Sequence, residues 1–365
     1  MKEKKEQGNP RLGKVGGEAL LEGVMMRAGS FCAIACRHED KSLVVHEKTY
    51  ISARKKYKFC NLPILRGIVS FIESLLLSYS CLTISAEEYG EIEEETKFEK
   101  WFKKHIGIKF FDVLTVFAMI LGVGLALMLF LALPRAVAGW IEGWFSLSLG
   151  VWKSAVEGGL KILIFILYLY LVSLMKDIRR TFQYHGAEHK SIACYEAGDE
   201  LTPAAARKYT RFHPRCGTSF MFVMILLGVG LGFLINALLP DLPTFLYTLL
   251  RLALLPLIVG LGFEFILYAG KHNNILTRTL SAPGLWMQRI TTREPDDEQL
   301  EVALLALQYA LTDDFPDFDR AAYKKVEPAE KKEEGEATPS TDTPASTEAP
   351  AADAEDASDK QDEAL

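Results

Sequence analysis

Residues 113–133 read VLTVFAMILGVGLALMLFLAL, without one ionisable side chain. As a helix this run rises about 30 Å, the thickness of a bilayer's hydrocarbon core. No water is available there for backbone N–H and C=O groups, so the stretch predicts a transmembrane helix and excludes a loop. Pro134 and Arg135 mark its expected end.

Working outward, three more runs reach spanning length: Gly159–Met175, Thr218–Leu239 and Phe245–Ala269. Lys161 is expected to snorkel from the outer end of the second span. Arg251 and Glu264 interrupt the fourth. Trp140, Trp144 and Trp152 fall between the first two spans and suit a membrane interface. Leu62–Ala86 is apolar but carries Arg66 and Glu73, which are costly at membrane depth. It reads as a helix lying on the membrane or packed on the spans, with both charges on one polar stripe. The fold class is a mostly α membrane protein with about four transmembrane helices, a small cytoplasmic α+β region and a disordered acidic tail.

Charge sets the orientation. The connection between spans two and three holds Lys176, Arg179, Arg180, Lys190, Arg207, Lys208, Arg211 and Arg215, whereas Pro240–Thr244 holds no positive charge. The positive-inside rule then places both termini and the 176–216 loop in the cytoplasm. All six cysteines fall on that side, which fits reduced thiols. Cys32 and Cys36, on one side of a strand, read as core cysteines. The net charge of −6 averages an acidic tail against basic flanks. No basic patch interleaved with aromatics points to nucleic acid. The N-terminus carries no apolar stretch of signal-peptide length.

Outside the four-span domain at 109–270, the chain divides into short regions. Residues 1–60 form a β-rich N-terminal region, in which Phe31–Arg37 and Leu43–Ser52 suggest a hairpin. The glycine-rich stretch with Glu18, Glu22 and Arg27 reads as a structured turn leading into the sheet. Residues 61–108 hold the interfacial helix and a charged linker at 87–104. Residues 271–325 form a helical region, in which Pro295 suits a first helical position and Leu300, Leu304, Leu307 and Leu311 stripe one face. Residues 326–365 lack large apolar side chains and are expected to be disordered. His38, His46, His105 and His272 have no ligand-like spacing and read as surface residues.

The chemistry lies in Tyr184-His185-Gly186-Ala187-Glu188-His189-Lys190. Histidines four apart share a helix face and can grip one metal ion. Glu188 beside them suits a general base, and the order H-x-x-E-H is that of the inverted zincins. A divalent metal, zinc before others, is the expected cofactor. His213 and Cys216 are the expected further ligands, with Glu264 as the alternative and Cys194 behind both. If span two continues straight, His185 stands about 15 Å beyond Met175 and Glu264 about 7 Å inside the membrane edge. That separation favours His213 or Cys216. A helix break near 179–183 would reverse the preference.

Four stretches together resemble a known family. They are Gly16–Arg27, Tyr184–Lys190, His213–Phe220, and Ser281–Trp286 continuing through Thr291–Pro295. They are similar to the YqhQ family of bacterial proteins, built around a domain of unknown function, over about residues 14–311. The resemblance implies a multi-pass protein of the bacterial cell membrane, predicted to be a metal-dependent enzyme. The leading expectation is a cytoplasm-facing zinc hydrolase: His185, His189 and His213 or Cys216 as ligands, Glu188 as base. Peptide bonds are the expected substrate, from the best-known users of this motif order. The alternative is a non-enzymatic scaffold or regulator with a structural metal or polar cluster, and a transporter is third. The expected partners are the lipid bilayer and a cytoplasmic protein.

Overall fold

The computed structural model describes residues 9–38, 40–89, 110–146, 149–240, 242–269 and 274–325. The tail at 326–365, most of the linker at 87–104, His105 and His272 lie outside them. Four strands run as an antiparallel meander in chain order: β1 (Val15–Leu20), β2 (Gly23–Ala28), β3 (Phe31–Arg37) and β4 (Leu43–Thr49). A two-residue strand, β5 (Lys324–Lys325), pairs in parallel with β4. The longer helices are, in order, α1 (Leu65–Glu88), α2 (Phe110–Leu127), α3 (Leu133–Phe145), α4 (Lys153–Val172), α5 (Lys176–Ala197), α6 (Gly217–Leu238), α7 (Thr244–Ala253), α8 (Leu255–Ala269), α9 (Ile275–Thr291) and α10 (Asp297–Ala310).

The β3–β4 hairpin lies where alternation predicts it. The glycine-rich stretch before it is not a turn but the strands β1 and β2. Glycines at 16 and 17 interrupt the apolar alternation that would have announced them. Successive side chains of a strand face opposite ways, so the sheet has two faces. Val24, Met26, Ala33, Ala35 and Val45 pack against α5 and α10. Leu20, Met25, Cys32, Ile34 and Cys36 meet Leu77 and Cys81 of α1. The result is a three-layer unit, helix on sheet on helix pair.

α10 is the centre of this unit rather than a helix laid on it. The predicted leucine stripe is buried, but so are Val302, Ala303, Leu305 and Ala306 on its other sides. Its cap is Asp296, whose side chain accepts from Gln299 N–H while Gln299 Oε1 accepts from Asp296 N–H. Pro295 therefore precedes the helix.

Among the described residues, four helices are long and apolar enough to cross a membrane: Leu65–Glu88, Val113–Phe145, Lys153–Val172 and Gly217–Leu238. The pair α7–α8 bends by 45° and is a fifth candidate. Three details differ from expectation. The first run does not stop at Pro134: a π-helical turn at Met128–Ala132 precedes it, and Pro134 falls in the first turn of α3, where no N–H is needed. α4 begins at Lys153, so Lys161 lies two turns inside the helix, buried, and does not snorkel. α1 passes the length and apolarity test, yet its first turns pack on α8 and its second half on the sheet.

The charges of α1 are anchored singly and form no stripe. Glu264 accepts from Arg66 Nε at 2.7 Å and from Ile64 N–H at 3.2 Å. Glu73 accepts from Ser52 Oγ at 2.8 Å and Ala53 N–H at 2.6 Å. His46 is buried, its Nε2 2.8 Å from Glu88, so it is not the surface residue expected. All six cysteines are free and buried.

Candidate metal centre

α4 does not continue straight into the histidine motif. The chain leaves the helix after Val172, Met175 is extended (ψ 138°), and α5 starts anew at Lys176. Glu264 is engaged by Arg66 and Ile64 as described, and it takes no part in the histidine cluster. Tyr184, Ala187, Cys194 and Tyr195 of α5 enter the sheet core, which leaves Cys194 away from the histidines.

Each imidazole of the motif hangs from a backbone carbonyl. His185 Nδ1–H donates to Thr291 O at 2.8 Å, and His189 Nδ1–H donates to Arg211 O at 2.6 Å. A carbonyl oxygen only accepts, so a proton sits on Nδ1, and in the neutral imidazole Nε2 keeps its lone pair. The two rings stand 4.4 Å apart. Cys216 Sγ lies 3.3 Å from His185 Nε2, and one ligand atom from each of His185, His189 and Cys216 lies within 4.8 Å of the others. Cys216 caps α6, with Sγ 3.5 Å from Thr218 N and 3.2 Å from its hydroxyl.

Glu188 faces the same point. Its Oε2 is 3.9 Å from His185 Nε2 and 4.0 Å from His189 Nε2. Burial pushes its pKa up to about 7; the nearby Glu18 adds to the rise, while His185 and a bond from Gly17 N–H oppose it. A carboxyl balanced there can take and return a proton near neutral pH. Glu18 is itself raised by burial, against a bond from the Ser78 hydroxyl and the proximity of His185.

His213 is beside the group but not within it. Its ring is 5.4 Å from that of His189, and its Nε2 is 3.4 Å from Arg215 Nη2. Burial, with His189, Arg215 and His185 adding, holds its pKa down to about 3, so the ring is neutral. Gln288, fully buried, pins this loop in both directions: it accepts from His213 N–H and donates to His213 O, each at 2.8 Å.

Two glycines let the backbone close on the motif. A Cβ on Gly186 would lie 2.0 Å from Arg293 O, so the 291–295 strap crosses α5 only because that residue has no side chain. Arg293 N–H donates to Phe182 O at 2.8 Å, and Glu294 pairs with Lys190. A Cβ on Gly17 would lie 2.8 Å from Glu188 Cγ, which is how β1 passes over the carboxylate. Sequence reasoning missed Gly17, Thr218, Gln288 and Thr291. The quoted stretches 16–27, 213–220 and 281–295 carried that signal, since all of them converge on the histidine motif.

The three donors of His185, His189 and Cys216 could hold one metal ion. Both imidazoles are held from behind by the carbonyl bonds that orient metal-binding histidines.

A chain of this kind joins membrane-length apolar helices to a small α/β unit, with a buried His/His/Cys group at their junction. It belongs to the family described as Protein of unknown function (DUF1385), which it matches over residues 62–313. It is 34% identical over 291 residues to the Uncharacterized protein YqhQ of Bacillus subtilis (strain 168), a match covering 79% of this chain and 89% of that protein. No solved structure matches it.

Proposed function

We propose that this chain is an integral membrane, metal-dependent hydrolase. The observation that carries the reading is the convergence of two imidazole nitrogens and one sulfur beside the buried Glu188 carboxyl, 3.9 and 4.0 Å from the two Nε2 atoms. His185, His189 and Cys216 would hold the ion, with the neutral His213 ring packed beside them. Bound there, a divalent ion supplies Lewis acidity. Glu188 takes and returns the proton, and Gly17 N–H steadies its charged form. The apolar helices seat the chain in a bilayer. The basic 176–216 segment and the uncharged Pro240–Thr244 connection favour a cytoplasmic site with both termini inside. A reporter active only outside the cytoplasm, fused after residue 325, should stay silent; activity there overturns the orientation.

The test of the metal is its content in detergent-purified protein by mass spectrometry. About one ion per chain is expected. Equal, near-zero content in wild type and in a His185→Ala/His189→Ala variant would sink the proposal.

A second reading has one observation in its favour. A cysteine sulfur in the group would add negative charge and make zinc a poorer Lewis acid, which suits a structural site in a scaffold or regulator. Glu188→Gln separates the two. A hydrolase keeps its ion and loses cellular function in a complementation assay, whereas a structural site keeps both.

A further inference from the structure

The half of the bundle farthest from the histidines holds a second polar constellation. Glu157 of α4 is 2% exposed and accepts from Arg135 Nη1 of α3 at 3.2 Å, Arg251 Nη1 of α7 at 3.3 Å and the Tyr247 hydroxyl at 3.4 Å. Arg251 also donates to Tyr247 Oη at 3.1 Å and to the Gly228 carbonyl of α6. The Arg135 guanidinium lies over the Tyr247 ring at 3.7 Å. One turn along α4 from Glu157 stands Lys161, 8% exposed and without a hydrogen bond among the described residues. Arg135 Nε–H is likewise buried without a partner.

The charges do not balance. Among the described residues, Arg135, Lys161 and Arg251 surround the single carboxylate Glu157. Adding the neighbouring Lys153–Glu142 pair, at 2.5 Å, leaves the same excess of two cations. Burying unmatched charge among apolar helices is strongly unfavourable unless a counter-charge joins it. The unmet groups at Lys161 and Arg135 are N–H donors on cations, so what completes them must be an anion rich in acceptor oxygens. Lys161 is eight residues into α4, about 12 Å along the helix from Lys153. An anion at that depth must come with an apolar body or through a polar gap between helices.

We propose that Arg135, Lys161 and Arg251, around Glu157, form a binding site for a phosphate-type oxyanion at the end of the bundle away from the metal centre. The oxyanion is either the headgroup of an anionic lipid or free phosphate. Glu157 orients the two guanidinium groups, and Lys161 supplies the charge and donors that no described protein group meets.

The test uses the full chain, purified and delipidated in detergent. In one arm it is titrated with phosphatidylglycerol or phosphatidylcholine, and retained lipid is counted by native mass spectrometry. In the other, inorganic phosphate binding is measured by calorimetry. The expected result is one retained phosphatidylglycerol, weakened about tenfold by Lys161→Met and restored by Lys161→Arg, with no such response for phosphatidylcholine. Phosphate binding that Lys161→Met weakens in the same way supports the site with a free anion as its source. It also distinguishes this site from phosphate held at the metal centre, which Lys161→Met leaves alone. If Lys161→Met does not fold, Arg135→Gln is read in its place. Binding of both ligands that is indifferent to these substitutions overturns the proposal and leaves the group a structural network.

Discussion

Two polar groups along α6, one at its first residues and one against Gly228 and Gly232, are built in opposite senses. Around His185 and His189, the backbone takes up the N–H donors and leaves lone pairs facing one another. Around Glu157, the carboxylate oxygens are taken up and N–H donors on cations remain. What a buried cluster leaves unpaired tells what it is for. Converging lone pairs ask for a cation, and converging donors ask for an anion. Both clusters would look alike in a count of buried polar residues.

The comparison can be broken most sharply at the histidines. His185→Ala/His189→Ala should lower metal content from about one ion per chain to less than about a tenth, measured by elemental mass spectrometry. Glu157→Gln attacks the other group. It leaves three cations facing no carboxylate and should cost about 3–5 kcal/mol, seen as a lower unfolding midpoint in detergent with metal content unchanged. Gly186→Ala returns to the first cluster: its methyl meets the Arg293 carbonyl, the strap must move, and about 2–3 kcal/mol of stability is expected to go with it. Gln288→Ala is the mildest. It removes the two side-chain bonds that Gln288 makes to the His213 backbone for about 1–3 kcal/mol, and metal affinity should fall with it because Cys216 follows three residues later. If Glu157→Gln released the metal, the two clusters would be one coupled system and the contrast would fail.

Much of the helical part was legible because a run such as 113–133 admits one structure in lipid. Its details were not, since Pro134 and the π turn before it obey a local N–H count that hydropathy does not register. The H-x-x-E-H pattern announced its two histidines and its carboxyl. Cys216 was among several candidates, and choosing it required the start of α6. Setting Glu264 aside rested on a straight helix that in fact breaks at Met175, yet Arg66 occupies that carboxylate for an unrelated reason. Arg66, Glu73 and Lys161 were each read as surface or interfacial charges. Sequence gives a charge its position along a helix but not the partner that arrives from another segment. β1 escaped for a related reason: Gly17 is there to clear Glu188, a residue far along the chain, and so carries no strand signal of its own.

The placement of α10 has a consequence for biogenesis. The strands β1–β4 find their principal core partner only in residues 297–310, after the described membrane-length helices have been made. Until then that face of the meander has at most α5 against it, and a nascent sheet with a partly bare apolar face is prone to wrong association. Thr291, which fixes His185, also arrives late. The order of synthesis thus acts as a timer: the chain completes its histidine and cysteine group only after the described membrane-length helices have been made.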